Sequence, residues 1–129
     1  MKEVIELKIH ESAEDYLERI LVLHNEQGRV ISLDIAKSMN YSKPSISRAM
    51  KNLKNDGYIE IDANGGITLT EKGYKIASSI YERHNVLAKC FMKLGVPYDI
   101  AYADACKVEH DLSVETFEAI KKHFIEEME

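Results

Sequence analysis

SKPSISRAMKNLKNDGYIEIDANGGITLT, residues 42–70, contains a change of period that decides the fold. In its first half Ile46, Met50 and Leu53 recur at helical spacing. Ser42 stands where a helix N-cap belongs and Gly57 where a helix stops, so a helix is predicted from Ser42 to about Asp56. The second half alternates instead. Tyr58-Ile59-Glu60-Ile61-Asp62 and Ile67-Thr68-Leu69 flank Ala63-Asn64-Gly65-Gly66, the signature of a β-hairpin.

Upstream, Ser32 can cap a short helix with Leu33, Ile35, Ala36 and Met39 for its buried side, and Asn40-Tyr41 makes the turn into the next helix. Ser12 with Asp15 resembles a capping box opening a helix through about Asn25, whose apolar stripe is Tyr16, Ile20 and Leu23. Downstream, Thr70 caps a long helix to about Leu94, which Gly95 and Pro97 break. Helices from about Pro97 to His110 and from Ser113 to Glu127 complete the chain. The expected class is therefore mainly α: the element order of a winged helix-turn-helix domain over 1–74, then helices over 75–129 that look like a dimerisation domain.

Composition agrees with a folded domain and excludes several alternatives. The chain has 129 residues, 45% hydrophobic and 30% charged, enough to bury about two-thirds of its unfolded surface without disulfides. Ile20-Leu21-Val22-Leu23 is far shorter than a membrane span, and the acid-interrupted N-terminus lacks the apolar core of a signal peptide. Two cysteines, Cys90 and Cys106, make no secreted disulfide framework, so a cytoplasmic location is expected. The net charge of −5 conceals a division: residues 29–58 carry +4, between 1–28 at −4 and 99–129 at −6. A basic segment between acidic ones suits a local polyanion-binding face, although solvated helix faces produce similar blocks.

In a helix-turn-helix the second helix presents its N-terminal half to the major groove. The candidate DNA-reading residues are Ser42, Lys43, Pro44, Ser45, Ser47, Arg48, Lys51 and Asn52, with Asn64 and Gly65 on the wing. Ser42 and Ser45 can equally be cap residues, and Arg48 and Lys51 a solvated face. A second constellation lies in Cys106-Lys107-Val108-Glu109-His110. Helical spacing lets Cys106 meet both Glu109 and His110, and thiolate, carboxylate and imidazole on one face suit a divalent transition metal. Asp15 and Glu18, three apart, and His84 are further candidate ligands. Against this, Asp15 can complete a cap, His84 can be a surface residue and Cys106 a small core hydrophobe. Cys90, near Leu87, Phe91 and Leu94, reads as core, and His10, His24 and His123 as surface.

Ser12-Ala13-Glu14-Asp15-Tyr16-Leu17-Glu18, Asp34-Ile35-Ala36, Leu69-Thr70-Glu71-Lys72-Gly73, Arg83-His84 and Glu109-His110-Asp111-Leu112-Ser113 resemble the diphtheria toxin repressor family, in order from about residue 12 to 125. The resemblance implies a homodimeric, metal-activated repressor of metal-uptake genes, and assigns ligand roles to Asp15, Glu18, His84, Cys106, Glu109 and His110. The length is similar to the short manganese-responsive branch rather than to iron-responsive members with an added SH3-like domain. Asp15 and Glu18 match the manganese branch, where the iron branch has Met at the position of Asp15. Cys106 resembles the iron branch, because the manganese branch has a metal-bridging Glu there. Ala88 and Tyr102 replace a carboxylate and a His of the iron branch's ancillary site, implying that this site is absent in its usual form.

The expected ion is Fe²⁺, with Mn²⁺ close behind and Zn²⁺, Co²⁺ or Ni²⁺ binding in vitro. The expected partners are operator DNA and a second copy of the chain. The alternatives are a winged-helix regulator sensing an organic ligand and a small metalloenzyme.

Overall fold

The computed structural model describes the backbone of residues 2–128 and the side chains of residues 12–124, so His10 lies outside the described side chains. The element order is α1 (Lys2–Gln27), α2 (Ser32–Met39), α3 (Lys43–Asn55), β1 (Ile59–Ile61), β2 (Ile67–Leu69), α4 (Glu71–Lys93), α5 (Tyr98–Val108) and α6 (Val114–Met128). The chain forms two compact units, 1–78 and 79–129, with α4 contributing to both.

The first unit is built around the apolar stripes of its helices. Leu17, Ile20, Leu21 and Leu23 of α1 pack with Ile35 and Ala36 of α2, with Ile46, Met50 and Leu53 of α3, and with Ile59 and Ile67 of the strands. Tyr16, Met39 and Leu69 lie partly buried at the edge of this cluster. The strands are antiparallel, with Ile59 opposite Leu69 and Ile61 opposite Ile67. The Ile67 N–H donates to the carbonyl of Val30 at 2.7 Å, tying the hairpin to the segment before α2. Asn40 ends α2 in the left-handed region at φ 59°, a conformation that Asn tolerates. Gly57 ends α3 at φ 83°, and the Tyr58 N–H reaches back to the Leu53 carbonyl at 3.0 Å, the longer bond of a Schellman closure.

Two expected caps differ from the structure. Ser12 lies well inside α1, which begins at Lys2, so neither Ser12 nor Asp15 caps that helix. Ser32 is the first helical residue rather than the cap. The cap is Ile31, whose N–H donates to the Asp34 carboxylate at 2.9 Å. The caps expected at Ser42 and Thr70 form, and Ser113 caps α6 as well. Ser42 Oγ accepts from Ser45 N, Thr70 Oγ1 from Gly73 N, and Ser113 Oγ from Thr116 N.

Gly73 has a second reason to lack a side chain. A Cβ there would stand 2.0 Å from the Tyr58 carbonyl oxygen, which itself accepts from Thr70 N at 3.0 Å. Backbone on both sides leaves little room to yield. Gly73→Ala is therefore expected to destabilise by roughly 3 kcal/mol or more, in the upper tail of point substitutions. Thermal unfolding measures this, and an unchanged Tm would contradict it.

In the second unit, Val86, Cys90 and Phe117 form one apolar cluster, and Leu87, Ala88 and Ala105 another, with Ile120 packed against both. Cys90 is core, as its spacing suggested. Leu94 is not its companion: it is 70% exposed where α4 ends. No helix among the described residues is long and apolar enough to cross a membrane.

Candidate metal centre and nucleic-acid interface

α3 places the proposed base-reading residues on the face opposite its buried stripe. Lys43, Pro44, Ser47, Arg48, Lys51 and Asn52 are exposed, as is Ser42, while Ser45 is half-buried. The Ser42 hydroxyl lies 2.8 Å from that of Ser45 and accepts from its N–H at 3.3 Å, so both serines serve the cap. Lys43, Ser47, Arg48, Lys51 and Asn52 are exposed polar residues of α3 that take no part in that cap.

The hairpin presents Asn64 at its exposed turn, held by a clamp that the sequence reading missed. The Asp62 carboxylate accepts from the N–H groups of Asn64 and Gly66, each at 2.8 Å, and pairs with Arg29 at 3.2 Å. Arg29 also donates to the Asn64 carbonyl at 3.0 Å. The Gly66 amide, Arg29 and the Asn64 amide hold the Asp62 carboxyl below its ordinary range. Asp62 at the start of a Gly-Gly turn is the signal that could have revealed this, since Asp side chains habitually accept from the turn backbone.

The second unit gathers four of the six predicted ligands. His84 of α4 is 3% exposed and Glu109 only 1%. Sγ of Cys106 lies 3.4 Å from His84 Nδ1, and His84 Nδ1 lies 3.1 Å from Glu109 Oε2. His110 Nε2 is 3.4 Å from the other Glu109 oxygen. The surface reading of His84 is thereby overturned, as is the fully buried reading of Cys106, which is half-buried. α5 ends at Val108, earlier than the expected His110. Glu109 nevertheless keeps right-handed helical dihedrals as the C-cap, so its spacing from Cys106 survives. His110 follows in the turn.

Burial opposes charge on His84, but its hydrogen bonds to Cys106 and Glu109 and their electrostatic attraction outweigh it and push its pKa up to about 10. A thiol, two imidazoles and a carboxylate gathered in one cluster are the donor set that a divalent transition ion takes. The residues present therefore fit such an ion. Asp15 and Glu18 stand half-buried on α1 in the first unit, three residues apart on one helix face. Ala88 is buried in the apolar cluster, and the Tyr102 ring packs edge-on against His84 at 4.1 Å. His24 and His123 are exposed, as expected.

Comparison with known proteins agrees with both halves. Residues 8–67 match the iron dependent repressor N-terminal DNA binding domain, and residues 70–126 match the iron dependent repressor metal binding and dimerisation domain. An uncharacterised HTH-type transcriptional regulator of Methanocaldococcus jannaschii is 39% identical over 114 residues, 86% of this chain and 90% of that protein. The transcriptional regulator MntR of Escherichia coli O157:H7 is 34% identical over 120 residues, 93% of this chain and 77% of that protein. Among solved structures, the manganese regulator SloR superposes with a TM-score of 0.76 at 30% identity, covering 86% of this chain. A manganese-dependent transcriptional repressor in complex with manganese gives 0.77 at 26%. The chain spans about half the length of these two solved chains. With both family domains matched in order across most of its length, the chain belongs to the iron-dependent repressor family of metal-dependent transcriptional regulators, which are not enzymes.

Proposed function

We propose that the protein is a cytoplasmic, homodimeric repressor that binds double-stranded operator DNA when charged with a divalent transition metal, and that it controls metal-uptake genes. The observation that carries this reading is the convergence of Cys106, His84, Glu109 and His110 in a unit separate from the one that bears α3. Asp15 and Glu18 on α1 are assigned as the remaining ligands, on their match to the family pattern. When bound, a divalent ion would supply positive charge to the carboxylates. Asp15 and Glu18 would be its ligands from the DNA-binding unit, and His84, Cys106, Glu109 and His110 its ligands from the dimerising unit. In that arrangement the two recognition helices of a dimer can meet successive major grooves, about 34 Å apart. The assigned ion is Fe²⁺, with Mn²⁺ second, because Cys106 adds a soft donor to a carboxylate-rich set. Zn²⁺, Co²⁺ and Ni²⁺ are expected to bind in vitro.

Metal analysis of anaerobically purified protein, with operator binding as each metal is added back, tests the proposal directly. Operator binding that ignores metal and responds to an organic molecule would replace it.

The DNA-reading face makes a separate prediction. Arg48→Ala is expected to weaken specific binding by about 1–3 kcal/mol, the usual worth of a base contact. Lys51→Ala is expected to weaken all sequences alike and to reduce the salt dependence, as loss of a phosphate contact does. Titrations of operator and unrelated DNA at several salt concentrations separate the two. Parent-like binding by both variants would move the reading face elsewhere.

A further inference from the structure

Resting on the metal reading above, we propose that Arg83 is a positioning residue, which sets the segment Glu109–Leu112 against His84 so that ligands from α4 and from the end of α5 meet one ion. Arg83 and His84 are neighbours on α4 and act on the same segment by different chemistry. His84 faces the Glu109 carboxylate at 3.1 Å. Arg83 Nη1 donates to the Glu109 carbonyl at 2.9 Å and to the Leu112 carbonyl at 2.8 Å. Glu109 is thus held at both its backbone and its side chain by consecutive residues of one rigid helix.

The need for such a clamp follows from where the ligands fall. α5 ends at Val108, and the last carbonyls of a helix have no partner within it. Glu109 is the C-cap, and His110 lies in the turn beyond. Neither ligand has the full support of helical hydrogen bonding, and a displacement of the segment would separate them from Cys106. Arg83 satisfies carbonyls at two points along the segment, bracketing His110. Its guanidinium also lies 5.2 Å from the centre of the Phe117 ring on α6, where a cation is favoured over the ring face. A neutral or shorter side chain could not hold both carbonyls while resting on that ring.

The test is anaerobic Co²⁺ titration of the full chain, read by affinity and by the thiolate-to-cobalt absorption band, alongside thermal unfolding of the metal-free protein. The variants are Arg83→Gln, Arg83→Lys and the control Lys121→Met. Lys121 pairs with Glu82 at 2.6 Å, linking α4 to α6 without touching Glu109–Leu112. Arg83→Gln is expected to weaken Co²⁺ at least tenfold and to alter the band. Arg83→Lys, which keeps the charge and several donors on one nitrogen, is expected to weaken it about threefold. Lys121→Met is expected to bind Co²⁺ as the parent does.

Parent-like affinity and spectrum in folded Arg83→Gln would overturn the proposal. So would equal weakening by Arg83→Gln and Lys121→Met, which would signal general loosening. If Arg83→Gln does not fold, Arg83→Lys decides: threefold weakening supports the proposal and parent-like binding overturns it. A parent that does not bind Co²⁺ at all overturns the metal reading itself, and this inference with it, an outcome distinct from parent-like behaviour of the variants.

Discussion

Chelation of divalent cations under reducing conditions is expected to lower affinity for operator DNA roughly 100-fold, toward the upper end of the 1–3 kcal/mol usual between coupled sites. The argument rests on where the groups lie. The residues proposed to read DNA occupy α3 in the first unit, and no proposed ligand lies on that helix. Four proposed ligands lie in the second unit. On the proposed ligand set, metal would act on DNA indirectly rather than by contact with α3, and would do so by favouring the DNA-competent state over others. Linkage then requires the reverse effect. Operator DNA should raise metal affinity by the same factor, and paired titrations measure both directions.

Asp15→Asn refines the test. It weakens the donor from α1 while leaving His84, Cys106, Glu109 and His110 in place. The expected result is retained metal binding with most of the activation of DNA binding lost. Equal operator affinity with and without chelator would sink the mechanism.

The elements legible in the sequence are those whose signals are local. The stripe Ile46, Met50 and Leu53 and the Asn-Gly-Gly turn gave α3 and the hairpin, because periodicity and turn chemistry act over a few residues. Ser42 and Thr70 cap as their positions imply. Ser12 does not, because the chain before it continues the helix, and a serine within a helix carries no mark that distinguishes it from a cap. Ser32 lost its role to Ile31, where the Asp34 carboxylate satisfies the open N–H without any cap side chain.

At the candidate metal centre, the spacing that brings Cys106 near Glu109 was readable, but the burial and support of the cluster were not. His84 sits beside charged Glu82 and Arg83, which suggested a surface. It is buried because the neighbouring face of α4 meets α5, a long-range contact that no local pattern encodes. Arg83 and the Arg29–Asp62 clamp share that difficulty. Arg83 donates to carbonyls 26 and 29 residues away, and Arg29 pairs 33 residues away.

Cys106→Glu is expected to reverse the order of activating metals, bringing Mn²⁺ ahead of Fe²⁺ and Co²⁺ through a relative shift of about tenfold, or ~1.4 kcal/mol. Cys106 supplies the one sulfur in the proposed set, and its Sγ lies 3.4 Å from His84 Nδ1, within the cluster rather than beside it. Thiolate favours softer ions later in the Irving–Williams series, whereas carboxylate suits hard Mn²⁺. A carboxylate also has two oxygens and can bridge, so the variant should more readily take a second ion. The fold should survive, because Cys106 belongs to neither apolar cluster of the second unit and is already half-buried. Metal stoichiometry and operator binding across Mn²⁺, Fe²⁺ and Co²⁺ for both proteins measure the shift. An unchanged order of activation, together with a parent Co²⁺ spectrum lacking a thiolate band, would remove Cys106 from the ligand set and leave the selection of metal to the carboxylates and imidazoles.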